Sequence, residues 1–190
     1  MGTASSEAPG APLAGGRFIS SDLLPGLSMC ILADGDIRAA LADGSLAIDP
    51  FEPRHVTPNG VDLTVAEVLL KAAGRTVREG VAEIPPGAWF ALSTREVVTL
   101  GPTIAGQLWI RSSYARRGAI AGFGKVESGF SGTLTVGAAN LGPDPLAIPI
   151  GDRFCQIVFE RMESVPERTY AKASGNYQGQ RGVTLAPKRP

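Results

Sequence analysis

The chain has 190 residues, a length that fits one domain with a buried core. Its 18 basic and 18 acidic side chains cancel, which argues against a general nucleic-acid or membrane surface. No apolar run approaches the length of a membrane span. The two cysteines, Cys30 and Cys155, lie far apart in apolar segments, which predicts buried, reduced thiols in a cytoplasmic protein.

The chain is predicted to begin with an unstructured segment and one helix. Residues 1–28 are rich in Ala, Gly, Pro and Ser and do not resemble a signal peptide, so we expect a flexible tail. Folding is predicted to start near Met29. Asp34 can cap a helix that carries Ile37 and Leu41 on one face and ends before Gly44.

Short strand-like stretches separated by Gly and Pro fill most of residues 29–172. They are Leu46–Ile48, Val61–Val65, Ala88–Leu92, Glu96–Leu100, Ile104–Ile110, Thr133–Ala139, Leu146–Ile150 and Phe154–Glu160. This pattern predicts a mainly β domain, a sandwich or a distorted, jelly-roll-like barrel with one or two short helices. Residues 173–190 are polar and rich in glycine, so we expect a flexible C-terminal arm.

Several chemistries are excluded by residues that the chain lacks. A Ser-His-Asp or Cys-His triad would need His55, the only histidine, whose neighbours supply no nucleophile motif. One histidine and two isolated cysteines argue against zinc, and the zinc deaminase motifs are absent. Neither a Walker loop nor a dinucleotide-binding glycine motif occurs. The candidates for a metal are the carboxylates of Asp62, Glu127 and Asp152, which suit Mg²⁺ held largely by substrate phosphates.

The run RSSYARRGAIAGFGKVESGFSG, residues 111–132, carries the most functional information. Its first half offers serine hydroxyls and arginine guanidiniums, which suit phosphate oxygens. A glycine-punctuated stretch follows, then the carboxylate of Glu127 and the ring of Phe130. A clamp for a polyanion beside a carboxylate and an aromatic ring indicates a nucleotide site.

Five segments in order resemble the motifs of the dCTP deaminase and dUTPase superfamily. They are NGVDL (59–63), RSSYARRG (111–118), KVESGFSG (125–132), GDRFCQIVF (151–159) and NYQGQRGVTLAP (176–187). The opening ILADGDIRAALADGSLAIDPFEP also resembles the start of dCTP deaminases. The resemblance covers roughly residues 29–187. It implies a dUTPase-type β fold, a homotrimer with sites between neighbouring chains, and an arm that closes over a nucleoside triphosphate.

The resemblance also implies a set of site residues. Catalytic roles fall to Glu127, Ser112 and Arg116. Substrate-binding roles fall to Arg111, Ser113, Phe130, Gln156, Tyr177, Gln180 and Arg181, with Phe130 beneath the sugar and the arm's polar residues as donors over the phosphates. Mg²⁺ is expected to bind mainly through the phosphates, with Asp62 as a further candidate ligand. Plain core packing is the alternative role for Phe130.

Two departures from the motifs bear on the activity. The dCTP deaminases carry a glutamate, three residues before an asparagine, that activates the attacking water. Here Gly137 stands in its place, and loss of a general base costs about 10²–10⁴-fold in rate. The third motif has Glu127 where the family usually has aspartate, and the hairpin before it is about two residues short, which leaves the base and the sugar open.

Three functions follow as hypotheses. The first is a dUTPase-type hydrolase that converts a pyrimidine (deoxy)nucleoside triphosphate to monophosphate and pyrophosphate with Mg²⁺. The second is a deaminase of dCTP or a related nucleotide that uses Glu127 as its base. The third is a nucleotide-binding trimer that has lost the chemistry.

Overall fold

The computed structural model describes residues 30–188, so the predicted tail over residues 1–28 lies outside the described residues. Residues 30–188 contain three α-helices: α1 (Asp34–Ala42), α2 (Ser112–Ala115) and α3 (Tyr170–Ala173). The strands are β1 (Leu46–Asp49), β2 (Val56–Thr57), β3 (Gly60–Leu70), β4 (Arg75–Val77), β5 (Val81–Ile84), β6 (Trp89–Thr94), β7 (Val97–Leu100), β8 (Ile104–Ile110), β9 (Ala119–Gly122), β10 (Lys125–Val126), β11 (Ser131–Gly132), β12 (Thr135–Asn140), β13 (Leu146–Pro149) and β14 (Arg153–Arg161). The predicted mainly β fold is confirmed.

One large antiparallel sheet organises the domain. Its central path runs β10-β8-β14-β3-β6-β12-β9, and β2 and β4 pair with β3 beside that path. Smaller sheets are formed by β1-β7-β11 and by β13-β5. Because β14 pairs with β3, the fourth and first motifs lie on adjacent strands, and the second motif begins directly after β8, the other neighbour of β14.

Aromatic and aliphatic side chains fill the core beneath this sheet. Phe90, Phe154 and Phe159 are fully buried. The ring of Phe154 contacts Phe90 edge-on, with centroids 6.2 Å apart, and lies 4.7 Å from the ring of Tyr114. Tyr114 thus anchors the short helix α2 to the core, which fixes the hydroxyls and guanidiniums on either side of it. None of the helices in residues 30–188 combines the length and the apolar character needed to cross a bilayer.

The strand predictions hold best where no register shift interrupts the strand. Ile104–Ile110 is reproduced in full as β8. The strand predicted at Val61–Val65 is longer in the structure, where β3 runs from Gly60 to Leu70. The register between β3 and β6 shifts between Val65 and Glu67. This irregularity interrupts the alternation, so the sequence pattern ended too early.

Two local predictions are wrong. Asp34 was expected to precede α1 as its cap, but the helix begins at Asp34, and the side chain of Asp36 accepts a hydrogen bond from the N–H of Ala33.

Cys155 is buried as expected, whereas Cys30 is exposed. Among residues 30–32, only Leu32 enters the core, because these residues pair with the end of β14 at the rim of the sheet. Burial raises the pKa of the Cys155 thiol, and the nearby carboxylates of Glu96 and Asp62 raise this pKa further.

Candidate functional site

The predicted site residues lie mainly in two separate clefts. The first, which we call the arm cleft, has a volume of about 330 Å³ and holds Glu127, Phe130, Tyr177 and Gln180. The second, which we call the arginine cleft, has a volume of about 290 Å³ and is lined by Thr57, Asp62, Trp109, Ile110, Arg111, Ser112 and Gln156. No described residue lines both clefts.

A tight turn places the third motif at the arm cleft. The N–H of Phe130 donates to the carbonyl of Glu127 at 3.1 Å, and Gly129 within the turn has φ +78°. The Glu127 side chain is therefore exposed at the cleft, whereas Phe130 is only 5% exposed. The Phe130 ring meets that of Tyr170 edge-on at 5.6 Å. Phe130 thus belongs both to the core and to the cleft wall, so its two predicted roles are compatible.

The C-terminal arm packs against its own chain beside the third motif. The N–H of Gly179 donates to the carbonyl of Ser131 at 2.7 Å, and the N–H of Thr133 donates to the carbonyl of Gln180 at 3.1 Å. The N–H of Tyr177 donates to the hydroxyl of Tyr170 at 2.9 Å. The arm therefore forms one wall of the arm cleft; its predicted flexibility stays a prediction.

Gln180 presents an acceptor rather than the donor that we expected. Its Nε2 donates to the carbonyl of Thr133 at 2.6 Å, which fixes the orientation of the amide. Its Oε1 is buried without a hydrogen-bond partner. An unpaired buried acceptor costs about 1–3 kcal/mol, and a ligand or water that donates to it would offset that cost.

Asp62 organises the arginine cleft from β3. Its carboxylate is 6% exposed and lies 3.3 Å from the guanidiniums of both Arg111 and Arg153. Gln156 also donates to it at 3.3 Å, since Gln156 stands opposite Asp62 across the β14–β3 pair. Asp62 thereby aligns two cations and an amide along one edge of the cleft.

These contacts argue against Asp62 as a metal ligand. A divalent cation would have to displace two guanidiniums from the carboxylate. Asp152 is also engaged, because it accepts from the Tyr114 hydroxyl at 2.7 Å and from the Arg153 N–H at 2.8 Å. Burial and this bond raise the pKa of Tyr114. Among residues 30–188, no group of three or more His, Cys, Asp or Glu could hold a metal ion.

Three predicted residues lie outside both clefts. Ser113 and Arg116 are exposed on and just after α2, and Arg116 lines a separate opening with Arg117 and Asp144. Arg181 is exposed, and its guanidinium donates to the carbonyl of Gln180 at 2.9 Å. A single chain therefore does not gather all of the predicted phosphate donors.

Sequence reasoning missed several cleft residues. Tyr170 and Thr135 line the arm cleft, and Trp109, 58% exposed, lines the arginine cleft. Tyr170 lies in a polar segment without strand or motif pattern, so only its aromatic character just before the arm could have indicated it.

Gly137 lies in β12, on the same strand face as Thr135 of the arm cleft. It pairs with Ala91 on one side and Gly122 on the other. A Cβ at position 137 would lie 3.4 Å from the Trp89 ring, an ordinary contact. The backbone thus has room for a side chain here, but Gly137 and its two paired neighbours provide no group that can transfer a proton.

Comparison with known proteins identifies the family. Residues 31–162 match the family model described as dCTP deaminase-like. A dCTP deaminase of Pyrococcus horikoshii is 35% identical over 162 residues, 84% of this chain and 98% of the relative. A "dCTP deaminase, dUMP-forming" of Aquifex aeolicus is 33% identical over 168 residues, 80% of this chain and 92% of the relative.

Among solved structures, the 2'-deoxycytidine 5'-triphosphate deaminase of Agrobacterium tumefaciens matches with a TM-score of 0.60 at 22% identity. The match covers 70% of this chain and 49% of that chain, so it spans about half of the Agrobacterium protein and supports the fold alone. The family-model match, over more than half of the chain, agrees with the motif order and with the β architecture. The chain belongs to the dCTP deaminase-like family, within the dCTP deaminase and dUTPase superfamily.

Proposed function

We propose that the protein hydrolyses a pyrimidine (deoxy)nucleoside triphosphate to the monophosphate and pyrophosphate. Two features together carry this proposal: the absence of a side chain at Gly137 and the presence of a carboxylate at Glu127. Gly137 and the residues paired with it, Ala91 and Gly122, carry no proton-transfer group, whereas the Glu127 carboxylate is exposed at the arm cleft. A carboxylate at that place can orient a water and accept its proton.

In this mechanism the water directed by Glu127 attacks the α-phosphorus. The bond from that phosphorus to the bridging oxygen breaks, and pyrophosphate leaves. Phe130 supports the sugar, and Tyr177, Gln180 and Arg181 close the arm side. The phosphate donors are Arg111, Ser112, Ser113, Arg116 and Gln156. The fixed positive charge of the two arginines and the hydrogen bonds from the serines and Gln156 favour the transition state, in which negative charge spreads over the phosphate oxygens.

A second copy of the chain is needed to complete this site. Glu127 and Phe130 lie in the arm cleft, whereas Arg111, Ser112 and Gln156 lie in the arginine cleft, and no described residue lines both. In a symmetric ring, the arm cleft of one chain can face the arginine cleft of the next.

We therefore expect a homotrimer in solution. Light scattering coupled to size-exclusion chromatography should give about three times the monomer mass of 19.7 kDa at micromolar concentration. A stable monomer at that concentration would contradict the shared site.

Mg²⁺ fits this scheme as an ion carried by the substrate. The Asp62 carboxylate is already neutralised by two guanidiniums, so the phosphate oxygens would supply the ligands. A bound Mg²⁺ would neutralise charge on those oxygens.

Deamination of dCTP is the second candidate, because the curated relatives at 33–36% identity are named dCTP deaminases. The Aquifex relative is named dUMP-forming, and conversion of dCTP to dUMP removes both the amino group and two phosphates. The name of that relative thus combines the two reactions. In the present chain Glu127 would have to serve as the base for deamination.

An assay with a panel of nucleotides distinguishes the hydrolase, the deaminase and the non-catalytic binding protein. Purified protein is incubated with dUTP, dCTP, UTP, CTP and dTTP plus Mg²⁺, and pyrophosphate and ammonia are measured in parallel. We expect pyrophosphate without ammonia from at least one pyrimidine triphosphate, and none from a Glu127→Gln preparation purified identically. Ammonia from dCTP at ordinary enzymatic rates would support the deaminase instead. Tight binding of a triphosphate with neither product would indicate a non-catalytic nucleotide-binding protein.

A further inference from the structure

The end of the C-terminal arm lies over a polar row on the outer face of the large sheet. The row consists of Glu67 in β3, Ser93 in β6 and Thr135 in β12. Glu67 pairs with Ser93, and Ser93 pairs with Thr135, so the three side chains share one face. Glu67 follows the register shift in β3, which sets its side chain on that face.

Both ends of the row hold the backbone of the arm. The N–H of Val183 donates to Oε1 of Glu67 at 2.7 Å. The N–H of Thr184 donates to the Thr135 hydroxyl at 3.0 Å, and that hydroxyl donates to the carbonyl of Gly182 at 3.3 Å. These contacts follow directly after Tyr177 and Gln180, the two arm residues that line the arm cleft.

The Glu67 contact is charged and largely shielded from water. The Glu67 carboxylate is 12% exposed, and its Oε2 lies 2.8 Å from Nε of Arg78. One oxygen therefore binds a guanidinium and the other binds the arm. Hydrogen bonds to a charged group are about twice as strong as those between neutral groups. Glu67 therefore makes the strongest single hydrogen bond to residues 182–184 of the arm.

Gly182 allows the backbone of the arm to approach the Glu67 carboxylate closely. Its φ is +65°, and a Cβ at this position would lie 2.7 Å from Oε1 of Glu67. Any other residue here would be strained in its backbone and would push the carboxylate away from the N–H of Val183.

From these contacts we infer that Glu67 is a positioning residue that latches the C-terminal arm over the arm cleft. It lies outside the residues that touch substrate in the proposed mechanism and acts through the arm. With the latch closed, Tyr177 and Gln180 are already in place when a ligand arrives. The kinetic consequence rests on the proposed function of the arm cleft, whereas the latch itself does not.

Limited proteolysis of the full-length protein tests the latch directly. Trypsin can cut after Arg181, which is exposed, and the cutting rate follows the population of the open arm. Glu67→Ala should speed this cleavage roughly tenfold, because it removes one charge-assisted hydrogen bond. Gly182→Ala, which leaves Glu67 in place, should do the same. The matched control is Glu83→Ala, an exposed glutamate in β5, which should cleave at the unmodified rate.

Kinetics provide a second, independent readout. Because apparent affinity falls only with the closed fraction and saturating triphosphate restores the closed arm, Glu67→Ala should raise KM by about twofold and leave kcat nearly unchanged. Arm cleavage at the unmodified rate in both Glu67→Ala and Gly182→Ala would overturn the latch. Faster cleavage in a protein that hydrolyses no triphosphate would support the latch and refute the proposed function, so the two failures are distinguishable.

Discussion

Glu127→Gln is expected to abolish pyrophosphate release while triphosphate binding survives. Glutamine has the shape of glutamate but cannot accept a proton at neutral pH, so the attacking water loses its base. We expect turnover to fall by about 10²–10⁴-fold. Pyrophosphate release from the best substrate of the panel measures turnover, and isothermal titration calorimetry with a non-hydrolysable triphosphate analogue measures binding.

Arg116→Ala is the contrasting variant for this experiment. Under the proposed function it removes a charge-assisted phosphate contact, so it should weaken binding of the analogue, whereas Glu127→Gln should not. Full pyrophosphate release by Glu127→Gln would show that the Glu127 carboxylate is not the base. A loss of binding in Glu127→Gln equal to that in Arg116→Ala would point to a binding role for Glu127.

Asp62→Ala is expected to be the most destabilising single change in the arginine cleft. It would leave the guanidiniums of Arg111 and Arg153 near each other without their common carboxylate. Breaking a buried ion pair from one side costs about 3–5 kcal/mol, and the partial exposure of both arginines places this case near the lower end. Urea unfolding should therefore give a free energy of unfolding about 3 kcal/mol below that of the unmodified protein.

Asp144→Ala is the matched control, because Asp144 is an exposed aspartate whose side chain makes no ion pair in the described structure. Its unfolding midpoint should stay close to that of the unmodified protein. The double variant Asp62→Ala/Arg111→Ala should recover part of the lost stability, because it also removes one of the two unpaired cations. An Asp62→Ala midpoint equal to that of Asp144→Ala would contradict the organising role of Asp62.

The sequence predicts the strands that have their own alternation and misses those that depend on distant partners. β8 is predicted in full because its apolar residues fill the whole segment between two turn signals. The second half of β3 is not predicted, because the register shift before Glu67 interrupts the alternation of side chains. Strands as short as β10 and β11 have two residues each, too few for any periodicity, and exist only through pairing with β8 and β7.

The candidate site is predicted in its residue types but not in its arrangement. Motif order alone singled out Glu127, Phe130, Arg111 and Gln156, and each lines one of the two clefts. Their division between clefts depends on strand order, which no local pattern specifies. The acceptor role of Gln180 depends on one carbonyl, that of Thr133, which the arm meets only after folding.

The separation of the two clefts has a consequence for mixtures of defective chains. Under the proposed shared site, a chain that lacks a working arginine cleft still offers its arm cleft to one neighbour, and the converse also holds. Two inactive variants, each damaged in a different cleft, therefore regenerate some intact sites when they assemble together. Two variants damaged in the same cleft do not. A population that carries both kinds of lesion thus retains part of its activity, through complementation between subunits.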